Sequence, residues 1–379
     1  MGGRQRAVED VELSGSVDAR RSRGTVEAGH WRGRRVLITG HTGFKGSWLS
    51  LWLARMGATV IGLSDAVPTS PSLFDGAQVA QDVEDVRVDV RDHQALLDAV
   101  TAARPEVVFH MAAQSLVRRA FERPRETFEV NVMGTVNLLD AVRRAGGVRV
   151  VVIVTSDKCY ANREWEWGYR ESDRMGGHDP YSSSKGCAEL VTEAFRSSFF
   201  AADDGPRLAS ARAGNVIGGG DWATDRLVPD IMRGAMATRP IPVRNPQSIR
   251  PWQHVLNPLS GYLLLAEALW RSPEYARGFN FGPADEDARP VRWLLERIAE
   301  RWVQPLEWVI DPGPHPHEAG YLKLDSSRAR SQLSWRPGWN LGEGLDAVVD
   351  WYAGLRDGEE VRSLTLRQIE AFHHTQAAA

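Results

Sequence analysis

Residues 35–46 read Arg35-Val-Leu-Ile-Thr-Gly40-His-Thr-Gly43-Phe-Lys-Gly46, and this stretch decides the fold of the chain. An apolar strand, Arg35–Thr39, passes directly into a glycine-rich turn, and a helical pattern starts at Ser47. Glycines permit a tight turn and a close approach of the backbone, and a helix N-terminus offers free N–H groups to a phosphate. The spacing G-x-x-G-x-x-G is one residue longer between its first two glycines than the standard dinucleotide fingerprint. Its strand–turn–helix context nevertheless predicts a dinucleotide-binding unit.

Strand-like and helical patterns alternate through the first two-thirds of the chain. The predicted strands are Arg35–Thr39, Thr59–Leu63, Val86–Val88, Val107–Met111, Val148–Thr155 and Leu208–Ala211. The predicted helices between them are Ser47–Met56, Gln94–Ala103, Phe128–Arg144 and Pro180–Ser198. Continuous apolar strands that alternate with helices are typical of a parallel sheet covered on both faces. We therefore predict an α/β fold with a Rossmann-like doubly wound parallel sheet.

The pattern loosens after about Asn215 into loops rich in glycine and proline. Helices are predicted in this part near Pro258–Trp270, Val291–Trp302 and Gly344–Tyr352. We predict that residues 215–379 form mainly a smaller substrate-binding lobe, interleaved with a dinucleotide-binding domain over 31–214 that carries the catalytic residues. Residues 1–30 lack a periodic apolar pattern and are predicted to be a disordered extension.

Composition and charge argue against several classes of protein. A net charge of −3 and a pI near 6.4 do not fit a general nucleic-acid binder, which is usually basic. No apolar run approaches the roughly 20 residues that a membrane helix needs, and the N-terminus lacks the apolar stretch of a secretory signal. The two cysteines, Cys159 and Cys187, are interpreted as reduced packing residues rather than redox groups. We expect a cytoplasmic protein with no metal site, no nucleic-acid partner and no membrane association.

Two segments carry groups suited to acid–base chemistry: Thr155-Ser156-Asp157-Lys158-Cys159-Tyr160 and Tyr181-Ser-Ser-Ser-Lys185. On a helix of 3.6 residues per turn, Tyr181 and Lys185 lie on one face. An ammonium beside a phenol stabilises the phenolate, so Tyr181 is expected to accept a proton from an alcohol well below its ordinary pKa of about 10. Such a pair also occurs on solvated helix faces, but here it follows a dinucleotide-binding turn. Asp157 and Lys158 supply an acid and a base that simple alcohol oxidation does not require.

The sequence also indicates groups for the adenosine half of a dinucleotide. An acid for the ribose is expected about 20 residues after the glycines, where Ser64 stands instead and Asp65 follows. Either Asp65 serves from a shifted position or the ribose is held otherwise, so this site favours NAD over NADP without deciding between them. Asp89 and Val90, which close the third predicted strand, are placed to contact adenine, and the alternative for Asp89 is a solvated loop acid.

Longer strings of sequence are more specific than the glycines. These strings are Gly40-His-Thr-Gly-Phe-Lys-Gly-Ser-Trp48, His110-Met-Ala-Ala-Gln-Ser-Leu-Val117, Asn131-Val-Met-Gly-Thr135, Gly176-Gly-His-Asp-Pro-Tyr-Ser182, Gly214-Asn-Val-Ile-Gly-Gly-Gly-Asp-Trp222 and Ile249-Arg-Pro-Trp-Gln-His-Val255. Over roughly residues 31–340 the chain resembles the nucleotide-sugar 4,6-dehydratases of the extended short-chain dehydrogenase/reductase superfamily. Among them it is similar to the group that acts on CDP-glucose, because Asp157-Lys158 stands where dTDP-glucose dehydratases carry Asp-Glu. Ser156 departs from the family's usual Thr but keeps the hydroxyl.

The resemblance implies a mechanism for these residues. Tyr181, assisted by Lys185 and Ser156, takes the proton of the sugar C4 hydroxyl while the C4 hydride passes to NAD. Lys158 then takes the C5 proton and Asp157 protonates the departing C6 hydroxyl, and the hydride returns to C6 to leave a 4-keto-6-deoxy sugar. A lysine acts as a base only when it is neutral. The cofactor and Lys185 are expected to lower the pKa of Lys158, whereas Asp157 is expected to raise it.

The resemblance also implies binding residues and an oligomeric state. The residues expected to bind NAD are Gly40, Thr42, Gly43, Phe44, Lys45, Gly46, Ser64, Asp65, Asp89, Val90, Ala112, Ala113, Gln114, Tyr181 and Lys185. The residues expected to bind CDP-glucose are Gln114, Ser115, Asn215, Arg226, Arg250 and His254. His254 and Trp252 are either substrate contacts or packing residues, and Asn131 is expected to order the backbone of the site. The family forms homodimers through paired helices, here Phe128–Arg144 and Pro180–Ser198.

Two alternatives stay open at this point. The first is another enzyme of the superfamily, such as a dehydratase of GDP-mannose or dTDP-glucose, or a nucleotide-sugar epimerase. An epimerase needs no acid–base pair for water elimination, so Asp157 and Lys158 disfavour it. The second is a non-catalytic NAD-binding sensor that kept the fold, which the presence of both Tyr181 and Lys185 disfavours.

Overall fold

The computed structural model describes residues 24–201, 205–313 and 320–377. The strands are β1 (Arg35–Thr39), β2 (Thr59–Ser64), β3 (Val83–Arg87), β4 (Val107–His110), β5 (Val150–Val154), β6 (Arg207–Arg212), β7 (Val216–Ile217), β8 (Ile241–Val243), β9 (Ile249–Pro251), β10 (Gln253–His254), β11 (Gly278–Asn280), β12 (Ala288–Pro290) and β13 (Trp308–Ile310). The helices are α1 (Ala28–Trp31), α2 (Phe44–Arg55), α3 (Leu73–Gly76), α4 (His93–Ala103), α5 (Val117–Glu122), α6 (Pro124–Phe128), α7 (Gly134–Ala145), α8 (Pro180–Ser198), α9 (Leu227–Met236), α10 (Leu256–Arg271), α11 (Val291–Arg301), α12 (Ser327–Gln332), α13 (Leu341–Arg356) and α14 (Val361–Ala377).

Seven strands form one parallel sheet in the order β11-β6-β5-β4-β1-β2-β3. Neighbouring residues of a strand face opposite sides of this sheet: Val36 and Ile38 join one apolar core, and Leu37 joins the other. Helices cover both faces, so the predicted doubly wound α/β fold is confirmed. The order reverses between β1 and β4, and in such sheets ligands bind at the carboxyl ends of the strands beside this reversal.

The C-terminal part contributes directly to the same sheet and core. β11 pairs with β6, and the buried side chains of α10, α13 and α14 pack into the core that also holds the first face of β1. Elements from both sides of residue 214 thus share one core. The domain boundary expected at that residue stays a prediction. Among the described residues no helix is both long enough and apolar enough to cross a membrane.

The N-terminal segment differs from its prediction. Residues 24–30 were expected to lie in a disordered extension, but they are docked on the fold. Val26 is buried, the Gly24 amide donates to the Ser334 carbonyl at 2.9 Å, and the indole of Trp31 donates to Glu267 at 2.8 Å. These partners are about 240 to 310 residues away in sequence, so no local pattern announces the contact. Residues 1–23 lie outside the described residues.

The predicted helix Phe128–Arg144 is present and contains a π-helical turn. Helical residues run without a break from α6 through this turn, over Glu129–Met133, into α7. This turn buries Asn131 and leaves Met133 half exposed. The short strands of the C-terminal part were not predicted, because two or three residues carry too little periodicity to be recognised. Helix α14 was also missed.

Candidate active site

A cleft of about 1850 Å³ opens at the carboxyl ends of the strands, beside the reversal of strand order. Its wall includes the glycine-rich turn, the segments that follow β2, β4 and β5, the start of α8, and loops from the C-terminal part. All of the residues predicted to be catalytic or to bind ligand line this cleft except His254. The sheet topology thus brings together segments that are far apart in sequence.

The glycine-rich turn is packed as closely as its composition predicts. A Cβ on Gly46 would lie 2.1 Å from the carbonyl oxygen of Gly40, and one on Gly40 would lie 2.7 Å from the Ala112 amide nitrogen. Gly43 is the N-cap of α2, and no side chain caps the first turn of that helix. The N–H groups of this turn are therefore available to an anion in the cleft, as a dinucleotide site requires.

His41, inside the same turn, is a site residue that the sequence analysis missed. It is fully buried, with Nδ1 at 3.1 Å from the Ser64 hydroxyl and Nε2 at 3.0 Å from Asp85. Ser64, which stands where an acid was expected, is thus held by the turn. Asp65 next to it is exposed on the cleft wall, where its carboxylate accepts only from the neighbouring Ala66 amide among the hydrogen bonds of the described residues. This placement fits a ribose contact by Asp65.

Asp89 and Val90 lie farther along the cleft wall. A bidentate contact with Arg91 holds the pKa of Asp89 below its usual value. Val90 is buried and packs against Gly134 at the start of α7. Both residues fit the adenine end of a dinucleotide, with Asp89 fixed by its arginine rather than free in a solvated loop.

Helix α8 presents the Tyr/Lys pair to the cleft. It begins at Pro180, where the Asp179 side chain caps the helix by accepting from the Ser182 amide at 2.9 Å. Tyr181 and Lys185 therefore lie on its first two turns, and both are buried against the cleft wall. Tyr181 is hydrogen-bonded to Ser156, which stands just after β5.

The pKa values of this pair differ from the simplest expectation. Burial raises the pKa of Tyr181 to about 12, although the Ser156 hydrogen bond and the charge of Arg226 act to lower it. Burial also lowers the pKa of Lys185 to about 8, against the opposing effect of Glu189. In the protein alone, desolvation therefore outweighs the stabilisation of the phenolate that was predicted from the neighbouring ammonium.

Asp157 and Lys158 follow Ser156 in a short 3₁₀ turn. Asp157 is buried, and its Oδ1 accepts from the Ser156 hydroxyl at 2.9 Å. Its Oδ2 is buried with no hydrogen-bond partner among the described residues. Lys158 is half-buried on the cleft wall. The two groups predicted as acid and base are therefore on the same wall as Tyr181.

Lys45, in the glycine-rich turn, lies within electrostatic reach of Lys185 and Asp157. Its ammonium is 5.9 Å from the ring centre of Tyr262, a buried residue of α10. Burial, together with the charges of Arg226 and Lys185, lowers the pKa of Lys45 to about 7, while Asp157 opposes the shift. The cleft thus contains a second amine near neutrality besides the Tyr/Lys pair.

Arg226 bridges two walls of the cleft. Its guanidinium donates to the Ser115 hydroxyl at 2.7 Å and to the buried carboxylate of Asp221 at 3.1 Å. Arg118, three residues after Ser115, makes a parallel contact to Asp225 at 3.1 Å. The segment after β4 and the loop before α9 are therefore held together across the cleft.

Asn131 orders the segment after β4, as predicted. Its side-chain oxygen accepts from the Gln114 amide at 2.9 Å, and its side-chain nitrogen donates to the Gln114 carbonyl at 3.0 Å. It also donates to the hydroxyl of Ser184 on α8 at 2.8 Å. The Gln114 side chain itself is occupied by hydrogen bonds to Leu116 and Thr127, so it supports the wall rather than offering a free amide to a ligand.

His254 does not lie on the cleft wall, and this placement contradicts the predicted substrate contact. The ring is fully buried between Trp48 and Trp339, with ring centres 5.9 and 4.9 Å away. By contrast, Arg250 and Asn215 do line the cleft, and Asn215 adopts a positive φ of 29°. His254 follows Arg250 closely in sequence, but β10 turns its side chain into the core.

Known proteins match the chain over much of its length. The family model described as GDP-mannose 4,6 dehydratase matches residues 37–268. CDP-glucose 4,6-dehydratase of Salmonella typhimurium is 51% identical over 352 residues, which cover 92% of this chain and 98% of that protein. dTDP-glucose 4,6-dehydratase of Xanthomonas campestris is 25% identical over 339 residues, 83% of this chain and 92% of that protein.

Solved structures share the fold. UDP-glucose 4-epimerase of Thermus thermophilus, solved in complex with NAD, has a TM-score of 0.72 and 25% identity, covering 84% of this chain and 99% of that one. The epimerase Mth375 of Methanothermobacter thermautotrophicus has a TM-score of 0.76 and 24% identity, covering 89% of this chain and 96% of that one. The overall architecture is therefore shared by proteins whose sequences have diverged widely.

Proposed function

Since the chain belongs to the GDP-mannose 4,6-dehydratase family, we propose that it dehydrates CDP-glucose to CDP-4-keto-6-deoxyglucose with NAD as cofactor. The observation that carries the choice of substrate is the 51% identity to a CDP-glucose 4,6-dehydratase over 92% of the chain. Asp157-Lys158 supports the same choice, because it is the pair that distinguishes this group of dehydratases. The enzyme is then a hydro-lyase.

The cleft fits NAD. A side chain at Gly40 or Gly46 would collide with neighbouring backbone, so the turn stays close only with glycine at both positions. The first turn of α2 has free N–H groups for the pyrophosphate, and exposed Asp65 fits the ribose. Bound NAD supplies a hydride acceptor for C4 of the sugar and a hydride donor for C6. Lys185, which reaches the cleft from α8, fits a contact with the ribose on the nicotinamide side of the cofactor.

The first chemical step uses Tyr181, Ser156 and Lys185. Tyr181 takes the proton of the C4 hydroxyl, and Ser156, which is hydrogen-bonded to Tyr181, orients that hydroxyl. Burial keeps Tyr181 protonated near neutral pH, with a pKa of about 12. The charge of the bound cofactor, together with the Lys185 ammonium, is needed to bring that pKa toward the working pH.

The elimination uses Asp157 and Lys158. Oxidation at C4 acidifies the C5 proton, which Lys158 takes, and Asp157 donates a proton to the departing C6 hydroxyl. Lys158 then gives a proton back to C5 as the hydride returns to C6. The Oδ2 of Asp157 supports the role of acid, because it is buried with no hydrogen-bond partner among the described residues and so is not engaged by another group. General acid and base groups of this kind typically contribute about 100- to 10,000-fold to a rate.

The nucleotide end of the substrate is proposed to lie between Arg226, Arg250 and Asn215. Arginine presents planar donors that match phosphate oxygens. Arg250 is buried at the cleft wall, and Arg226 is already held by Ser115 and Asp221. Substrate binding would therefore meet guanidinium groups whose direction is set in advance.

We also propose a homodimer that forms through the helical layer of α7 and α8. Met133, in the π-helical turn, and Leu190, on α8, are 50% and 61% exposed, which is unusual for large apolar side chains. Leu190→Glu should convert a dimer to monomers in sedimentation analysis, and Glu193→Gln on the same helix is the matched control. A wild-type monomer would contradict the proposal.

The unpaired thiols of Cys159 and Cys187 support a reaction in the cytoplasm.

Product analysis with CDP-, dTDP- and UDP-glucose and GDP-mannose tests the function. We expect CDP-glucose to be turned over far better than the others, without net release of reduced cofactor. Substrate deuterated at C4 should give product deuterated at C6. A 4-epimer as product would instead support the epimerase alternative, and stoichiometric release of reduced cofactor would leave a simple dehydrogenase.

A further inference from the structure

A buried ion pair lies directly behind the catalytic residues. Glu189, on α8, accepts from Nε and Nη2 of Arg212 on β6 at 2.9 and 2.7 Å. Glu189 and Arg212 are each 5% exposed. Removing either partner of a buried ion pair leaves an uncompensated buried charge, so the pair firmly joins the elements that carry it.

The carboxylate of Glu189 has four donors. Besides Arg212, the Ser210 hydroxyl donates to Oε2 at 2.7 Å, and the Thr155 hydroxyl makes a short hydrogen bond to Oε1. Thr155 immediately precedes Ser156, and Glu189 is one helical turn after Lys185. One carboxylate therefore joins the two segments that carry the catalytic groups.

Arg212 is fixed from its other side. Its Nη1 donates to the Tyr160 hydroxyl at 2.7 Å, and that hydroxyl donates to the Asn280 side chain at 2.7 Å. Tyr160 closes the Ser156–Tyr160 segment, and Asn280 ends β11. The guanidinium is consequently locked between the strand end that bears Asp157 and the edge of the sheet.

We propose that Glu189 is a positioning residue: clamped by Arg212, it holds α8 against the end of β5 and keeps Lys185 in its ammonium form. The inference rests on the proposed dehydration, because it concerns the groups assigned to C4 oxidation. Although burial acts to raise the pKa of Glu189, Arg212 and the hydroxyls hold it below its usual value, so the carboxylate is charged. That charge acts to raise the pKa of Lys185 against burial.

Other groups facing Lys185 do not supply this charge. They are Lys45 on α2, His110 on β4, Tyr181 on α8 and Cys159 after β5. Burial lowers the pKa of His110 to about 3 and raises that of the Cys159 thiol, so both are neutral near pH 7. Lys45 would repel the ammonium. Glu189 is thus the carboxylate of the described residues that acts most on Lys185.

The test compares Glu189→Gln and Glu189→Asp with wild type, and uses Glu267→Gln as the matched control. Glu267 is also a buried carboxylate, but it contacts Trp31 far from the cleft. The chain has four lysines, Lys45, Lys158, Lys185 and Lys323. Selective ¹³Cε labelling of lysine therefore gives a few resolvable NMR signals whose titration can be followed directly, alongside turnover of CDP-glucose between pH 6 and 10.

Glu189→Gln should lower the titration midpoint of Lys185 by about one pH unit, because an adjacent opposite charge is lost. The alkaline loss of kcat should move down with it. Glu189→Asp should leave the midpoint in place but lower kcat by about 10- to 100-fold, since its shorter carboxylate cannot reach all of its donors. Glu267→Gln should change neither quantity.

An unchanged Lys185 midpoint in Glu189→Gln would overturn the charge role, and wild-type kcat in Glu189→Asp would overturn the positioning role. An equal midpoint shift in Glu267→Gln would also overturn the charge role, as a general effect of losing a buried carboxylate. If Glu189→Gln does not fold, Glu189→Asp still decides the positioning role. Failure of wild type to dehydrate CDP-glucose would refute the proposed function instead, and the NMR titration would remain decisive for the charge.

Discussion

The Ser156 hydroxyl donates to Oδ1 of Asp157 at 2.9 Å while it is also hydrogen-bonded to Tyr181. The proposed oxidation at C4 and the proposed elimination across C5 and C6 therefore share one hydroxyl. A change at Ser156 should disturb both steps, whereas a change at Asp157 should disturb the second more than the first. This asymmetry allows the two steps to be separated experimentally.

Asp157→Asn should slow dehydration by about 100- to 10,000-fold, because an amide cannot donate the proton of a general acid. C4 oxidation should partly persist, so absorbance of reduced nicotinamide should accumulate on the enzyme in stopped-flow measurements. Ser156→Ala is the matched comparison, and it should lower the rate of reduction itself. Wild-type dehydration by Asp157→Asn would remove Asp157 from the role of acid.

Lys158→Met and Lys45→Met test which amine takes the C5 proton. Lys158→Met should abolish exchange of the C5 proton with solvent deuterium, measured by NMR of the product, and slow dehydration by a similar factor of about 100 or more. Lys45→Met should retain that exchange and change cofactor binding instead. The reverse result would assign the base to Lys45, whose pKa of about 7 already suits it to that task.

Lys185→Met should stabilise the protein at neutral pH. The pKa of Lys185 falls from 10.5 to about 8 in the fold, which corresponds to about 3 kcal/mol of unfavourable burial of the charged form. This cost is complete below pH 8 and fades as the pH rises to 10.5, where the unfolded chain also loses the proton. Urea unfolding at pH 7 and pH 10 measures the change.

Lys323→Met is the control for that experiment. A hydrogen bond to Asp285 at 2.8 Å raises the pKa of Lys323 although partial burial opposes it, so its removal should bring no gain in stability. A Lys185→Met protein that is less stable than wild type at pH 7 would show that the ammonium is not costly to the fold.

Trp31→Ala should destabilise the protein by about 3 to 5 kcal/mol, as large-to-small changes of buried aromatic residues usually do. Trp31→Phe keeps part of the buried aromatic volume and loses the hydrogen bond to Glu267, so a smaller loss than for Trp31→Ala, of about 1 kcal/mol or more, is expected. Thermal and urea unfolding give both values. Equal stability of all three proteins would show that the docked segment contributes nothing to the fold.

Some elements could be predicted from sequence to the residue. β1 and α8 begin and end where they were predicted, because each has a strong local signal: a glycine turn after Thr39 and an Asp179-Pro180 cap. The cleft could be predicted as well, since parallel strands bring their carboxyl ends to one edge whatever lies between them.

What failed depends on direction and burial, which local patterns do not carry. His254 was predicted to line the cleft because residues close to it in sequence do so. Strand β10 instead turns its side chain toward Trp48 and Trp339. The docking of Trp31 rests on Glu267, 236 residues away. The high pKa of Tyr181 follows from desolvation, which depends on how the folded chain packs around the phenol.

The π-helical turn over Glu129–Met133 makes the site sensitive to chain length. Its wider winding absorbs one residue more than an α-helical turn, and Asn131 stands inside it. A deletion of one residue in this turn would restore ordinary α-helical winding and leave α6 and α7 in nearly the same angular phase. The widened turn that carries Asn131 would be lost, and with it the hydrogen bonds by which Asn131 joins Gln114 and Ser184. Variation in this part of the protein is therefore expected as substitution rather than as insertion or deletion.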